Sequence, residues 1–534
     1  MKKLIVLLLA MAMLFSVAAC GKTNDIPQND NVQSGTTQAP GTDSVEADAP
    51  EDKEPVIINL AGGDYGYPSP YLHYSRGPGI YKMELVFDSL LEYGEDGIIP
   101  WLAESYDVSD DGLTYTFVVR DGVKWHDGTD LTMDDILFSY EYQIEHPPVS
   151  GINVISADNR SLIEDMTIDG NKFIVTVTQK NAIMLENIGK VRIIPKHIWE
   201  NVEDPNTFTD EACGIGCGPY VISAYDKEQG AYKFVAFEDY WGHNQTVDVI
   251  NFIPVSDGLM AFDNGEIDLT GVSPDVMSKY ENSDEYKLIY NPGFWGYKLA
   301  FNMESAPALQ DINVRKAIAC AINREELIEK IARGAATMPG EGYIPTQSIW
   351  YDDTVENYKF DPEAAKEYLD GKTYDFVLTV SSSDAEVRMA ELMKLSLAEV
   401  GINLTVESVD SKTRDTMYRN KEYELIINGY GGWGRDPDLL RSQYANGAIP
   451  GYNNEKINEL CAAQILETDV EKRHEIIDEL QHLIAEDVPQ LPLYNTTGVS
   501  VYRPSTYDGW TYRFDHHETT HPKISYVDEY AIIK

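Results

Sequence analysis

Phe376-Val377-Leu378-Thr379-Val380, then Ala385 to Val400, then Gly401-Ile402-Asn403-Leu404-Thr405-Val406: this succession decides the fold class. The first run is apolar, β-branched and aromatic, and reads as a strand. Ala385 to Val400 reads as a helix, and the run after Gly401 as a second strand. A strand, a helix and a strand in that order form a βαβ unit, which predicts a parallel pair inside an α/β lobe. Flanking signals agree. Leu113 to Arg120 is a strand-like run behind the turn Asp110-Asp111-Gly112, with further turns at Asp121-Gly122 and Asp127-Gly128. Helices are expected to start at Thr132, where Asp134 and Asp135 occupy the first turn, and at Asn323, where Asn323-Arg324-Glu325-Glu326 has the form of a capping box. Leu327, Ile328 and Ile331 then share a face until Gly334, and Asp361-Pro362 marks another helix start. No internal repeat is evident.

The chain has 534 residues, with 88 Asp and Glu against 42 Lys and Arg and a net charge of −46. A surface of that sign repels phosphate backbones and anionic lipid, so nucleic-acid binding and charge-driven membrane docking are excluded. With 43% apolar and 11% aromatic residues it can bury a large core. At roughly 150 residues per domain, about three domains or lobes are expected.

Lys2 and Lys3 precede the apolar run Leu4 to Phe15, which is too short to span a bilayer and has the form of a signal peptide over 1–19. Val17-Ala18-Ala19-Cys20-Gly21 resembles the lipobox of bacterial lipoproteins, in which Cys20 is acylated and becomes the mature N-terminus. Residues 20–54, polar and poor in bulky aliphatics, read as the lipidated cysteine and a flexible tether. Only eight of the 88 acidic residues lie in 21–54, so the negative charge belongs to the folded body.

Beyond residue 56 the motifs become recognisable. Ile99-Pro100-Trp101-Leu102-Ala103-Glu104-Ser105-Tyr106 leads through Asp110-Asp111-Gly112-Leu113-Thr114 to Arg120-Asp121-Gly122-Val123-Lys124-Trp125-His126-Asp127-Gly128. Later come Ile194-Pro195-Lys196-His197, Gly218-Pro219-Tyr220, Leu299-Ala300-Phe301-Asn302, Val314-Arg315-Lys316-Ala317 and Val488-Pro489-Gln490-Leu491-Pro492-Leu493-Tyr494. In order and spacing the sequence resembles the extracellular solute-binding proteins of family 5, the peptide- and nickel-binding lipoproteins that serve ABC importers. The resemblance implies an α/β fold of the periplasmic-binding-protein-like type II class: two lobes around a cleft, with an extra domain in the first. Lobe I is expected at 56–88, 184–293 and 491–534, the extra domain at 89–183, and lobe II at 294–490.

Several patterns suggest chemistry and are set aside. Trp125-His126-Asp127-Gly128 reads as a strand end and turn, not a catalytic dyad. Gly429-Tyr430-Gly431-Gly432-Trp433-Gly434 matches GxGxxG, but Pro437 interrupts the helix a dinucleotide site requires. No P-loop is present, so neither NAD(P) nor ATP is implied, and no cofactor is expected. By the resemblance, the same glycine-rich loop approaches the ligand: its glycines admit a close backbone, and Trp433 offers a flat wall. Relatives place a carboxylate after the Gly-Trp pair for the ligand's ammonium; here Arg435 or Asp436 holds that place, or Asp436 and Asp438 only cap and turn the loop. From the first lobe, Tyr74 to Tyr81 is the region that meets an extended ligand, with Arg76 and Tyr81 as candidates, and Tyr494 lies near the cleft. Arg76 or Arg435 suits a bidentate contact to a carboxylate, or is a surface arginine. A metal is not expected, although His516, His517 and His521 cluster and His73 stands beside the cleft. Cys213 and Cys217 share a glycine-rich loop and are a candidate disulfide; Cys320 and Cys461 read as buried helix residues.

The function expected is a monomeric, lipid-anchored, extracytoplasmic binding protein that captures a short peptide by cleft closure and delivers it to a membrane permease, without covalent chemistry. Alternative cargoes are a nickel–chelator complex or an oligosaccharide. A hydrolase is the rival from another class, and no GxSxG or HExxH supports it.

Overall fold

The computed structural model describes residues 54–533 apart from 75–76, 96, 153, 155–160, 292, 341, 357, 432–435 and 512–522. The signal peptide and Cys20 therefore lie outside the described residues, as does the tether up to Lys53. The first strand is β1 (Ile57–Ala61), where Ile58 and Leu60 are buried between exposed Ile57 and Ala61. β2 (Leu91–Tyr93) and β3 (Ile98–Pro100) form a short antiparallel pair.

β4 (Ala103–Val108), β5 (Thr114–Val119), β6 (Ile163–Asp169) and β7 (Lys172–Val177) build an antiparallel sheet in the order β4-β5-β7-β6. Tyr115, Phe117 and Val119 alternate with threonines and Val118, so one face is apolar. That face shares a core with Ile136 and Tyr140 of the helix Met133–Glu145. Thr132 opens this helix as expected, its N–H and hydroxyl each donating to Asp135 at 2.8 Å. We propose that this sheet and helix are the body of the additional domain anticipated within 89–183.

β8 (Tyr220–Asp226), β9 (Ala231–Ala236) and β10 (Val249–Ile253) return to the first strand in the order β1-β10-β9-β8, with β1 and β10 parallel. β11 (Leu269–Val272) and β12 (Lys287–Tyr290) flank β19 (Val499–Tyr502) in a small antiparallel sheet.

The remaining strands form a second centre. β13 (Trp295–Phe301), β14 (Ala336–Thr337), β15 (Tyr374–Ser381), β16 (Ile402–Val409), β17 (Leu425–Tyr430) and β18 (Gln490–Thr496) lie in one sheet, ordered β14-β18-β13-β17-β15-β16. β15 and β16 are parallel, with Phe376 opposite Leu404, and the helix Asp384–Ala398 connects them. The βαβ unit read from the sequence is present. Its helix is N-capped by Ser383, whose hydroxyl accepts from the Glu386 N–H. Helix starts at Asn323 and Asp361 also form, each side-chain oxygen accepting backbone N–H groups of the first turn. β18 begins at Gln490, so all but its first residue lie beyond 490, yet it pairs with β13 along its length. A boundary between 490 and 491 would cut that strand from its sheet, so we propose that lobe II runs on to Thr496.

Two connections join the β11-β19-β12 sheet to the six-stranded sheet: residues 291–294 leading into β13, and Thr497-Gly498 leading out of β18. They run side by side. Tyr290 pairs with Val499, the Asn291 N–H donates to the Gly498 carbonyl at 2.8 Å, and Trp295 pairs with Thr496. Away from this ribbon the two bodies touch at the Ala182 N–H, which donates to the Ile465 carbonyl at 2.8 Å, and at an ion pair between Arg333 and Asp275.

Candidate functional site

On the lobe I side, a cavity of about 280 Å³ opens beside the helix Pro78–Glu84. Pro78 fixes the first helical position, and Gly79 is required because a Cβ there would lie 2.3 Å from the Tyr74 carbonyl oxygen. Tyr81 and Glu84 line the cavity from this helix; Lys190 and Arg192 line it from the segment after the helix Met184–Gly189. Tyr81, proposed from the sequence, is thus placed at a cavity wall.

Glu84, Lys190 and Arg192 belong to a buried ionic network that no motif announced. Arg192 pairs with Glu84 through Nη2 and with Glu92 through Nη1 at 3.1 Å, and its Nη1 also donates to Ser89 Oγ at 3.2 Å. Glu92 also meets Lys190, and Lys523 from the C-terminal segment at 3.2 Å. Lys523 Nζ lies 2.6 Å from Asp88, whose two oxygens accept the indole N–H groups of Trp101 and Trp241 at 2.9 and 3.0 Å. Three carboxylates therefore face three cations, and the cluster carries no net charge. Burial depresses the Lys523 pKa, opposed by Asp88. One sequence signal was available: Glu84, Asp88 and Glu92 recur every fourth residue through an apolar run that includes Leu85-Val86-Phe87 and Leu90-Leu91. Carboxylates inside such a run must be paired when it is buried.

His73 also lines this cavity. Its Nδ1 is 2.7 Å from the Ser69 carbonyl, which can only accept, so Nδ1 carries the proton; Nε2 takes the Ser150 hydroxyl at 2.7 Å. Both nitrogens are committed, and burial lowers the ring's pKa. Among the described residues no group of three or more His, Cys, Asp or Glu side chains is placed to hold a metal. His516, His517 and His521 lie outside the described residues.

On the lobe II side, β17 delivers Gly429, Tyr430 and Gly431 toward the glycine-rich loop. The glycines have a local occupant. A Cβ on Gly429 would fall 2.7 Å from Trp295 Cζ2, and one on Gly431 2.7 Å from Trp295 Cδ1. The indole of Trp295, the first residue after the 291–294 connection, lies across both. It meets Tyr297 edge-on at 4.9 Å, and Tyr430 stacks on Tyr343 at 4.8 Å. Trp433 and Arg435, like Arg76, lie outside the described residues. Asp436 re-emerges as an anchor: its oxygens accept from Arg473 Nη1 and Nη2 at 2.6 and 2.5 Å, and from the Asp438 N–H at 2.8 Å. A ligand ammonium would have to displace Arg473 to use it. Asp438 accepts from Arg441 and from Gln464 Nε2. Tyr494, only 2% exposed, belongs to the lobe II core against Tyr297, and burial raises its pKa.

Two further readings are settled locally. Cys213 and Cys217 are free thiols, not a disulfide. Their loop is pinned between them: the Gly216 carbonyl accepts from the His126 N–H, and the Gly218 N–H donates to the Val86 carbonyl. Cys213 enters the core of Tyr71 and Trp199, whereas Cys217 enters that of Trp125 and Ile193. Burial raises both pKa values, Cys213 to about 12. His126 is structural, as read. Its Nε2–H donates to the Gly218 carbonyl at 2.9 Å, Nδ1 accepts from the Gly216 N–H at 3.3 Å, and burial lowers its pKa to about 4. Because the unfolded ring titrates near 6.5, this contribution to stability is complete above that pH and is lost progressively down to about pH 4. Acid unfolding should therefore show a loss of about 3 kcal/mol over this window that His126→Gln lacks, measured by urea denaturation at stepped pH.

This arrangement, two α/β bodies joined by a paired ribbon with a polar cavity on one and a glycine-rich loop on the other, has a match among known families. The profile of the bacterial extracellular solute-binding proteins, family 5, matches residues 97–451. The chain belongs to this family. Among its relatives, heme-binding protein A of Haemophilus influenzae is 29% identical over 78% of this chain and 83% of its own length. Di/tripeptide-binding protein 3 of Pseudomonas aeruginosa is 27% identical over 78% and 85%. Among solved structures, the ABC transporter substrate-binding protein CtaP of Listeria monocytogenes superposes with a TM-score of 0.76 at 25% identity, covering 88% of this chain and 97% of its own. The fold is that of a type II periplasmic binding protein, and the role is that of an extracellular solute-binding protein. In this solute-binding protein no helix among the described residues is long and apolar enough to cross a membrane.

Proposed function

We propose that this solute-binding protein captures a short peptide between its lobes and delivers it to a membrane permease, tethered to the lipid surface through acylated Cys20. The observation that carries the peptide reading is the lobe I cavity. Glu84, Lys190 and Arg192, members of the neutral ionic network, line it together with Glu186. A wall with donors and acceptors of both signs but no net charge suits a ligand carrying both an ammonium and a carboxylate. A relative named for di- and tripeptides supports the same class. Heme, named in another relative, is served less well, because both nitrogens of His73 are already committed. Arg76, Trp433 and Arg435 remain candidates for ligand contact; Asp436 is better placed to hold the loop than to hold an amine. No covalent step is required of any of them, and a monomer suffices.

Native mass spectrometry of the purified protein, followed by identification of the ligand released on unfolding, should recover peptides. Recovery of heme, metal chelates or sugars alone would defeat the peptide reading. For the anchor, Cys20→Ala should move the protein from the membrane fraction to the medium or periplasm; retention in the membrane would defeat acylation.

A further inference from the structure

Lobe II holds a second cavity, of about 270 Å³, between the helix Ser411–Asn420, the segment after it and the helix Leu439–Tyr444. It is not part of the cleft. Ala300, Phe301 and Gln490 contribute to it, at the end of β13 opposite Trp295. Ala300 is five residue steps along the strand from Trp295, about 17 Å.

The chemistry of this cavity runs against that of the whole chain. In a protein of net charge −46, no Asp or Glu is among the described residues lining it, whereas Arg419 and Lys421 both are. Tyr418 and Tyr423, stacked at 5.9 Å, form an aromatic wall. At the back is Gln490, 3% exposed, whose Nε2 is beside the Tyr444 hydroxyl but short of hydrogen-bond geometry with it, and neither has another partner among the described residues. Gln443 accepts from Lys298 Nζ at 2.8 Å through Oε1, which leaves its amide N–H groups without a described partner. Lys298 is itself 2% exposed, sits 5.3 Å over the Tyr418 ring, and meets no carboxylate among the described residues. A buried ammonium answered by an amide oxygen, the Tyr418 hydroxyl and aromatic faces, with no carboxylate, is incompletely compensated. The cavity thus offers N–H donors and positive charge without a matching acceptor, and an anion would answer that excess.

We propose that this lobe II cavity binds a small oxyanion, a phosphate or a carboxylate, independently of the cargo in the cleft. Arg419 and Lys421 would hold it at the mouth, with the amides of Gln443 and Gln490 donating from within. The Arg419 guanidinium makes only a 3.3 Å hydrogen bond to Thr416, and Lys421 Nζ one of 3.1 Å to the Gly447 carbonyl, so among the described residues neither cation is neutralised by a carboxylate.

The test is calorimetric titration of the full chain, in chloride at constant ionic strength, with inorganic phosphate and separately with acetate. Binding of at least one at 1:1 stoichiometry with a Kd below about 1 mM is expected, and the tighter of the two names the oxyanion class. The double variant Arg419→Ser/Lys421→Asn should weaken it at least about tenfold, two charge-assisted contacts being lost. Asn is chosen because Lys421 has φ of +61° and Asn tolerates that region. Both cations are exposed, so the variant should unfold at the same urea concentration as the parent. Cargo affinity should be unchanged by phosphate or acetate. No saturable binding of either anion, or binding that the double variant retains, overturns the proposal; it leaves the peptide reading untouched, since that rests on the other lobe.

Discussion

Lys523→Met is expected to destabilise the protein by about 3–5 kcal/mol, the cost of leaving a buried charge without its partner. The ammonium is 3% exposed and lies between Asp88 and Glu92, at 2.6 and 3.2 Å. Its removal leaves Asp88, which is fully buried, with two indole N–H donors but no cation, and gives the network a net negative charge. The two carboxylates cannot recover solvation without opening the core that contains Trp101 and Phe87. Lys279→Met is the control. It breaks a pair with Asp263 that is half exposed on the lysine side, where solvent screens both charges, and should leave the urea midpoint nearly unchanged. Urea denaturation with two probes, far-UV dichroism and tryptophan fluorescence, distinguishes the two cases. Adding Asp88→Asn to Lys523→Met should recover part of the loss, because the uncompensated charge is then gone. A Lys523→Met midpoint equal to that of Lys279→Met would show that the network is not what holds the C-terminal segment to the first lobe.

That network also shows where sequence reading stops. The βαβ unit at 374–409 was legible because its information is local: apolar runs, a capping serine and a turn glycine lie within a few dozen residues. The helix starts at Thr132, Asn323 and Asp361 were legible for the same reason, each being a short polar pattern satisfying its own first turn. Lys523 and Asp88 are 435 residues apart, and nothing near Lys523 signals that it will be buried. The spacing of Glu84, Asp88 and Glu92 announces a need for cations but not their source. Cys213 and Cys217 illustrate the opposite error. Proximity in sequence suggested a bridge, yet the loop between them packs on the Val86 backbone and sends the thiols into different cores. Asp436 was read as either an anchor for an amine or a loop cap; the arginine it pairs with, Arg473, is on a helix 37 residues away.

The glycine-rich segment was legible as a special backbone, but its local reason was not, and this supports the prediction with the largest effect on binding. Gly431→Ala is expected to weaken cargo binding by about tenfold to a hundredfold. The new methyl would lie 2.7 Å from Trp295 Cδ1, an atom of a rigid ring that also covers Gly429 and meets Tyr297. The ring cannot swing away freely, because Trp295 is the first strand residue after the 291–294 connection and is paired with Thr496 in the returning strand. Either the indole shifts, disturbing the ribbon that joins the lobes, or the backbone at 431 shifts, displacing the loop that follows. Overpacking of this kind costs about 1–3 kcal/mol. If the cost falls on the ligand-bound arrangement of loop and ribbon, each 1.4 kcal/mol is one decade of affinity. Calorimetric titration with the peptide recovered from the native protein reads the loss directly. Trp295→Val in the Gly431→Ala background should restore affinity by at least about fivefold, since valine has no atom where the indole Cδ1 lies and still suits a strand. Unchanged affinity for Gly431→Ala would mean that the indole and the glycines are merely packed together, and that the loop takes its position without reference to the ribbon.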